Sequence, residues 1–186
     1  MKTNLFPSLK LTFLFIILFM GIYTLVILGI AQIAPNNGKG FLVEDNGKKY
    51  YENIAQNFSA DNYFWSRPSA VNYNAAGSGG SNKGPSNPDY LTTVQARIDT
   101  FMVHNPDIKK SEIPSDMVTA SGSGQDPNIS VQGAMVQVPR IAKTRNLSEE
   151  NVKSLVNQNI EKPLLGLFGT EKINVLKLNI ALNKLK

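Results

Sequence analysis

The chain has no cysteine and one histidine, His104. Disulfides, thiol nucleophiles and zinc–thiolate sites are excluded, and a transition-metal centre has no adequate ligand set. The lack of cysteine suits either side of a membrane. Strong charge is missing too. Lys2 and Lys10 supply two of the +5 net charge, which leaves +3 spread thinly over the rest. That is no footprint of a nucleic-acid surface. The string G-x-x-x-x-G-K-[ST] does not occur, so there is no Walker loop. No G-x-S-x-G elbow forms around Ser78, Ser81 or Ser123, and the acids are scattered without an E-x-x-H or a paired-carboxylate arrangement. No internal repeat is visible. His104 reads as a surface or capping residue. An enzyme acting alone has little to work with here.

A long apolar run is present. Leu11 to Ala34, "LTFLFIILFMGIYTLVILGIAQIA", carries no charge. As a helix it reaches about 36 Å at ~1.5 Å per residue, against a hydrocarbon core of about 30 Å. A secretory signal has an apolar region of only about 7–15 residues, so an anchor is the better reading. Gly29-Ile30-Ala31 would serve as a cleavage site in the alternative, a removed signal. Lys2 and Lys10 flank one end with no acid among them, and basic flanks stay inside. The expected layout is a cytoplasmic N-terminus (1–10), a transmembrane helix (11–34) and an extracytoplasmic domain (35–186). Gly21 and Gly29 fall on roughly one helix face and would let a partner helix pack closely.

The remainder predicts a compact α/β or α+β domain. Asp45-Asn46-Gly47 between two β-prone runs signals a hairpin. A short helix is expected in the front half of residues 52–70, followed by a core cluster of Phe58, Tyr63, Phe64 and Trp65. Residues 72–88 are glycine-rich and read as a loop. Asn87, Pro88 and Asp89 then start a helix bearing Leu91, Val94, Ile98 and Phe101 or Met102, which ends near His104. Val118 to Ala120 is expected as a short strand. Ser130 caps a second helix with Val131, Met135, Val138 and Ile141 on its face, interrupted at Pro139. Ser148 caps a third, with Val152, Leu155, Val156 and Ile160 inward. Residues 173–182 read as a strand followed by a short helical tail, with Val175, Leu176 and Leu178 buried.

The stretch "TASGSGQDPNIS", residues 119–130, looks at first like a phosphate-cradling loop. Without the Walker lysine it reads as a turn or as a surface a partner approaches closely. Four motifs occur in order after the apolar run. They are "YFWSRPSAVNYN" (63–74), "SGGSNKGPSNP" (78–88), "IPSDMVTASGSGQDPNIS" (113–130) and "QVPRIAKTR" (137–145). With the closing "LLGLFGTEKINVLKLNIAL" they closely resemble the C subunit of the Kdp potassium-transporting P-type ATPase, the KdpC family.

The resemblance implies an accessory subunit of a high-affinity potassium importer. Its partners would be a channel-like potassium-binding subunit and a P-type ATP-hydrolysing subunit. In that family the C subunit is needed for a working complex and is often described as a catalytic chaperone raising ATP affinity. No cofactor is expected on this chain itself; ATP, magnesium and potassium are used by the complex. The phosphorylated-aspartate motif D-K-T-G is absent, so no phosphoenzyme forms here. Interface or structural candidates carried over are Arg67, Pro68, Ser69, Ser78, Gly79, Gly80, Ser81, Asn82, Asn87 and Pro88. Ser121, Gly122, Ser123, Gly124, Asp126, Pro127, Gln137, Val138 and Arg140 complete the set. Arg67 and Arg140 are expected to make buried charge-assisted hydrogen bonds. Lys83, Gln125, Asn128 and the Tyr23-Thr24 pair depart from the family pattern. The rival reading is a stand-alone anchored hydrolase or ligand-binding domain.

Overall fold

The computed structural model describes residues 2–185. Met1 and Lys186, at the ends of the expected 1–10 and 35–186 segments, lie outside the described residues, as do the side chains of Lys2 and Thr3. The chain divides into two units, Met1–Phe41 and Leu42–Lys186.

The first unit is helical. α1 (Lys2–Ile16) runs through a π turn (Ile17–Ile22) into α2 (Tyr23–Ile33). The span Asn4–Ile33 has a mean hydropathy of 2.7 and is long and apolar enough to cross a membrane. The Thr24 hydroxyl donates to the Phe19 carbonyl five residues back, the spacing at which a π turn leaves its carbonyls. A Cβ added at Gly21 or Gly29 would meet nothing within 4 Å.

The second unit mixes helices with two short antiparallel ladders, which is the α+β side of the expectation. β1 (Leu42–Asp45) and β2 (Lys48–Tyr51) form the hairpin, with Val43 opposite Tyr50 and Glu44 opposite Lys49. Asn46 and Gly47 both have positive φ, as a two-residue turn of this kind requires. α3 (Pro88–His104) is capped by Asn87, whose side chain accepts from Tyr90 N. Of its apolar stripe only Phe101 is fully inside, and Leu91 is 52% exposed.

β3 (Asn128–Ile129) pairs with β4 (Ile173–Asn174), placing Ile129 opposite Ile173 at the centre of the core. Ser130 caps α4 (Val131–Met135) by accepting from Gly133 N. Pro139 sits in the first turn of a new helix, α5 (Val138–Arg145), so the interruption restarts the chain rather than bending it. α6 (Glu149–Gln158), capped by Ser148, packs on α4, α5 and α7 (Val175–Lys184). Phe64, Phe101, Ile141, Val152, Val156, Leu178 and Leu182 form one buried cluster.

Two expected elements are absent. Residues 52–60 form no helix. Their backbone groups are taken by distant partners: Ala55 N donates to Gln125 O, and Ser66 Oγ and the Asn174 amide donate to the carbonyls of Gln56 and Glu52. Val118–Ala120 is not a strand either. The chain turns there through a 3₁₀ segment, Ser115–Met117, and the strand begins at Asn128. Asp116 determines that turn by accepting from both Ser130 N and Ser130 Oγ.

Candidate functional site

The loop 67–82 and the loop 119–127 lie against each other, and most of the motif residues meet at that seam. Ser69 Oγ donates to Gly124 O at 2.7 Å and accepts from the backbone N–H of Val71 and Tyr73. Gly79 N and Ser78 Oγ both donate to Ser123 O, at 2.9 and 3.0 Å. Gln125 Nε2 reaches Asn74 O. Gly80 lies so close to Gly122 that a Cβ there would stand 3.0 Å from the Gly122 carbonyl oxygen. Ser121 Oγ accepts from Gly124 N, and Ser123 Oγ accepts from Gln125 N. The glycine-rich composition that suggested a loose loop instead allows two backbones to touch.

Arg67 spans the same seam. Its Nη1 donates to Asp126 Oδ2 at 2.9 Å and its Nε reaches Thr119 O at 3.4 Å. Asp126 Oδ1 meanwhile accepts from Asn128 N, and Pro127 O accepts from Val175 N, which links the motif to the last helix. The pair is about a quarter exposed, so its strength is moderated by water. Arg67→Met should lower the unfolding free energy by about 1 kcal/mol, and adding Asp126→Asn should cost little more. Additive losses in denaturant titrations would show that the pair is uncoupled.

Arg140 is a second junction. Its side chain is 4% exposed. Nε donates to Asn105 Oδ1 at 3.0 Å, Nη2 to Gln137 Oε1 at 2.7 Å, and Nη1 to the carbonyls of Asp61 and Tyr63. The guanidinium lies 4.8 Å from the Trp65 ring centroid. Burial pushes its pKa down to about 10 while the Asp61 carboxylate pulls it up, so the group stays cationic at neutral pH. Gln137, fully buried, accepts from Trp65 N and donates to Gly133 O. Val138 is fully buried beside it. His104 is half-exposed, and its Nδ1 lies 2.8 Å from Asp61 Oδ1.

Of the other candidates, Asn87 and Pro88 start α3, while Ser81 and Asn82 are exposed, Asn82 with positive φ. Pro68 lines an open cleft of about 560 Å³ together with Trp65, Tyr73, Arg97, Phe101 and Met117. Among the described residues, Arg97 is the only charged side chain lining it, and no acid–base pair is found there. Burial there pushes the Tyr73 phenol pKa up, with Arg97 opposing. Among the described residues, no group of three His, Asp or Glu is placed to hold a metal ion.

Sequence reasoning missed two buried polar clamps and a half-buried one. Asn179 Oδ1 accepts from Phe64 N and its Nδ2 donates to Phe64 O, both at 2.9 Å, as a neighbouring strand would. Asn105 Nδ2 holds Phe101 O. Lys177 bridges Glu52 and Glu161. An asparagine inside the apolar stripe of "VLKLNIAL" was the available signal for the first.

Comparison with known proteins gives the family. The family described as "KdpC: K+-transporting ATPase, c chain" matches residues 5–184. A potassium-transporting ATPase KdpC subunit of Flavobacterium psychrophilum is 61% identical over 184 residues, covering 98% of this chain and 99% of the relative. That of Bacteroides thetaiotaomicron is 54% identical over 190 residues, with both chains fully covered. That of Bacillus cereus is 41% identical over 187 residues, covering 99% and 97%. Matches over nearly the whole chain place it among the accessory subunits of potassium-transporting ATPases. It belongs to the KdpC family.

Proposed function

We propose that the chain is the accessory subunit of an ATP-driven potassium import complex and acts through assembly. α1 and α2 anchor it with residues 1–10 in the cytoplasm, and the domain of residues 35–186 lies outside. There it binds the channel-like subunit and covers its extracellular ion entrance, with Gly21 and Gly29 packing against partner helices in the bilayer. Any effect on ATP affinity is then transmitted through the P-type subunit, not through nucleotide held here.

One observation supports this reading above the others. The polar groups of the seam, from Ser69 and Ser78 to Ser123 and Asp126, are largely spent on one another, Gln125 Oε1 being buried without a partner. They build a shaped, firm surface and leave no nucleophile beside a base. A stand-alone hydrolase is not favoured, since family membership extends over nearly the whole chain.

The test is a pull-down from membranes by a C-terminal tag, followed by potassium-stimulated ATP hydrolysis with and without the chain. Co-purification of a P-type ATPase, with stimulation lost when the chain is missing, is the expected result. A variant ending at residue 41 should keep the anchor and change the potassium concentration for half-maximal activity. A chain that purifies alone and leaves hydrolysis unchanged would overturn the proposal.

A further inference from the structure

The segment Pro163–Gly169, "PLLGLFG", has no polar side chain. Leu164, Leu165, Leu167 and Phe168 are 70%, 80%, 80% and 64% exposed. Four large apolar side chains in one short loop are far more than scattered surface residues require.

The loop stands on a firm base. Glu161 and Lys172 exchange both backbone hydrogen bonds, at 2.8 and 3.1 Å, and Lys177 holds the Glu161 carboxylate. The tip is closed on itself. Leu164 N and Phe168 O pair at 3.0 Å, as do Phe168 N and Leu164 O, while Gly166 N and Leu167 N donate to Pro163 O and Leu164 O. Four N–H groups of the tip therefore need no water. Leu165 is held at φ 56°. Among the described residues, the other non-glycine positions with positive φ are asparagines, except Tyr73. A leucine where asparagine or glycine would sit without strain marks its side chain as the purpose of the turn.

We infer that the tip 163–169 inserts into the surface layer of the lipid bilayer as a second, non-helical membrane contact. Hydrocarbon accepts backbone only when its polar groups are satisfied internally; most of the tip's N–H groups are, and the carbonyls of Leu165, Gly166 and Leu167, which are not, keep the tip at the hydrated headgroup level. A protein interface of this size would normally carry hydrogen bonds, and the tip has no side chain to make one. Lys162 and Glu171, both exposed, flank the base with opposite charges that suit zwitterionic headgroups. The inference rests on the anchor reading of α1 and α2, which keeps a bilayer within reach.

The absence of cysteine makes the test direct. Leu167→Cys and, separately, Leu25→Cys each supply a single thiol for an environment-sensitive fluorophore in the full chain. Each is reconstituted in phosphatidylcholine vesicles and probed with a nitroxide lipid labelled near the headgroup and with iodide on both faces. Both labels should emit to the blue, be quenched by the nitroxide and be shielded from iodide. Raising the salt concentration should leave the signal at 167 unchanged. A label at 167 that iodide quenches and the lipid does not, while 25 is lipid-quenched, overturns the inference and spares the anchor. Shielding at 167 only after the partner subunits are added also overturns it, in favour of a protein contact. Iodide quenching at 25 would remove the anchor and the inference together.

Discussion

Arg140→Met is expected to lower the unfolding free energy by about 3–5 kcal/mol, enough to unfold much of the domain. The methionine keeps the stem packed, so the loss is that of the guanidinium. Its departure leaves Asn105 Oδ1, which is buried, and the carbonyls of Asp61 and Tyr63, which are only partly buried, without their donor. Gln137 Oε1 keeps Trp65 N and suffers less. Arg140→Lys should recover little, because one ammonium cannot serve acceptors on three sides. Trp65 is the only tryptophan in the chain and lies on the guanidinium, so its emission reads the site directly. A red shift at low denaturant in both variants, with an earlier unfolding midpoint, is the expected outcome. An unchanged midpoint in the methionine variant would show that the guanidinium contributes nothing net.

Gly124 and Gly122 should respond very differently to the same added methyl group. Gly124 has φ 67°, and a Cβ there would stand 2.6 Å from Val71 Cγ2 and 2.9 Å from Gly79 O. The left-handed backbone costs a side chain about 1–2 kcal/mol, and the overlap with a neighbouring backbone adds a further ~1–3 kcal/mol. Gly124→Ala therefore separates the two loops or unfolds them. At Gly122 a Cβ meets nothing within 4 Å, so Gly122→Ala should stay within about 0.5 kcal/mol of the parent. Thermal unfolding of the two variants checks this. In the complex the contrast extends to potassium-stimulated hydrolysis, which Gly124→Ala should abolish and Gly122→Ala should leave intact unless position 122 touches a partner.

Local signals were readable where local chemistry decides. Asn87, Ser130 and Ser148 each accept from a backbone N–H three residues on, and each starts the helix that its sequence context announced. The Asn46-Gly47 turn and the β4–α7 ending belong to the same class. The errors fall where the backbone's partners are far away in sequence. Residues 52–60 carry a helical pattern, yet Ala55 N finds its acceptor at Gln125. The strand placed at 118–120 lies instead at 128–129, because its partner is residue 173 and Asp116 uses the intervening chain for a turn. Composition was least informative at the seam. Glycine and serine describe a flexible linker as readily as they describe two backbones in contact, and only a partner loop distinguishes the two.

The clamps from α7 have a consequence for synthesis. Phe64 is held by Asn179, the carbonyl of Glu52 by Asn174, and Pro127 by the N–H of Val175. Leu178 and Leu182 close the cluster around Ile129 and Ile173. The core thus lacks its final wall until α7 has been made. A growing chain gains no stable partial domain on the way, since the earlier segments bind what comes last. The polypeptide leaves the ribosome as an open chain behind an apolar helix that is already complete. On the outward placement proposed above, an open chain of this kind is the form that a translocation channel passes, and folding follows once α7 is through.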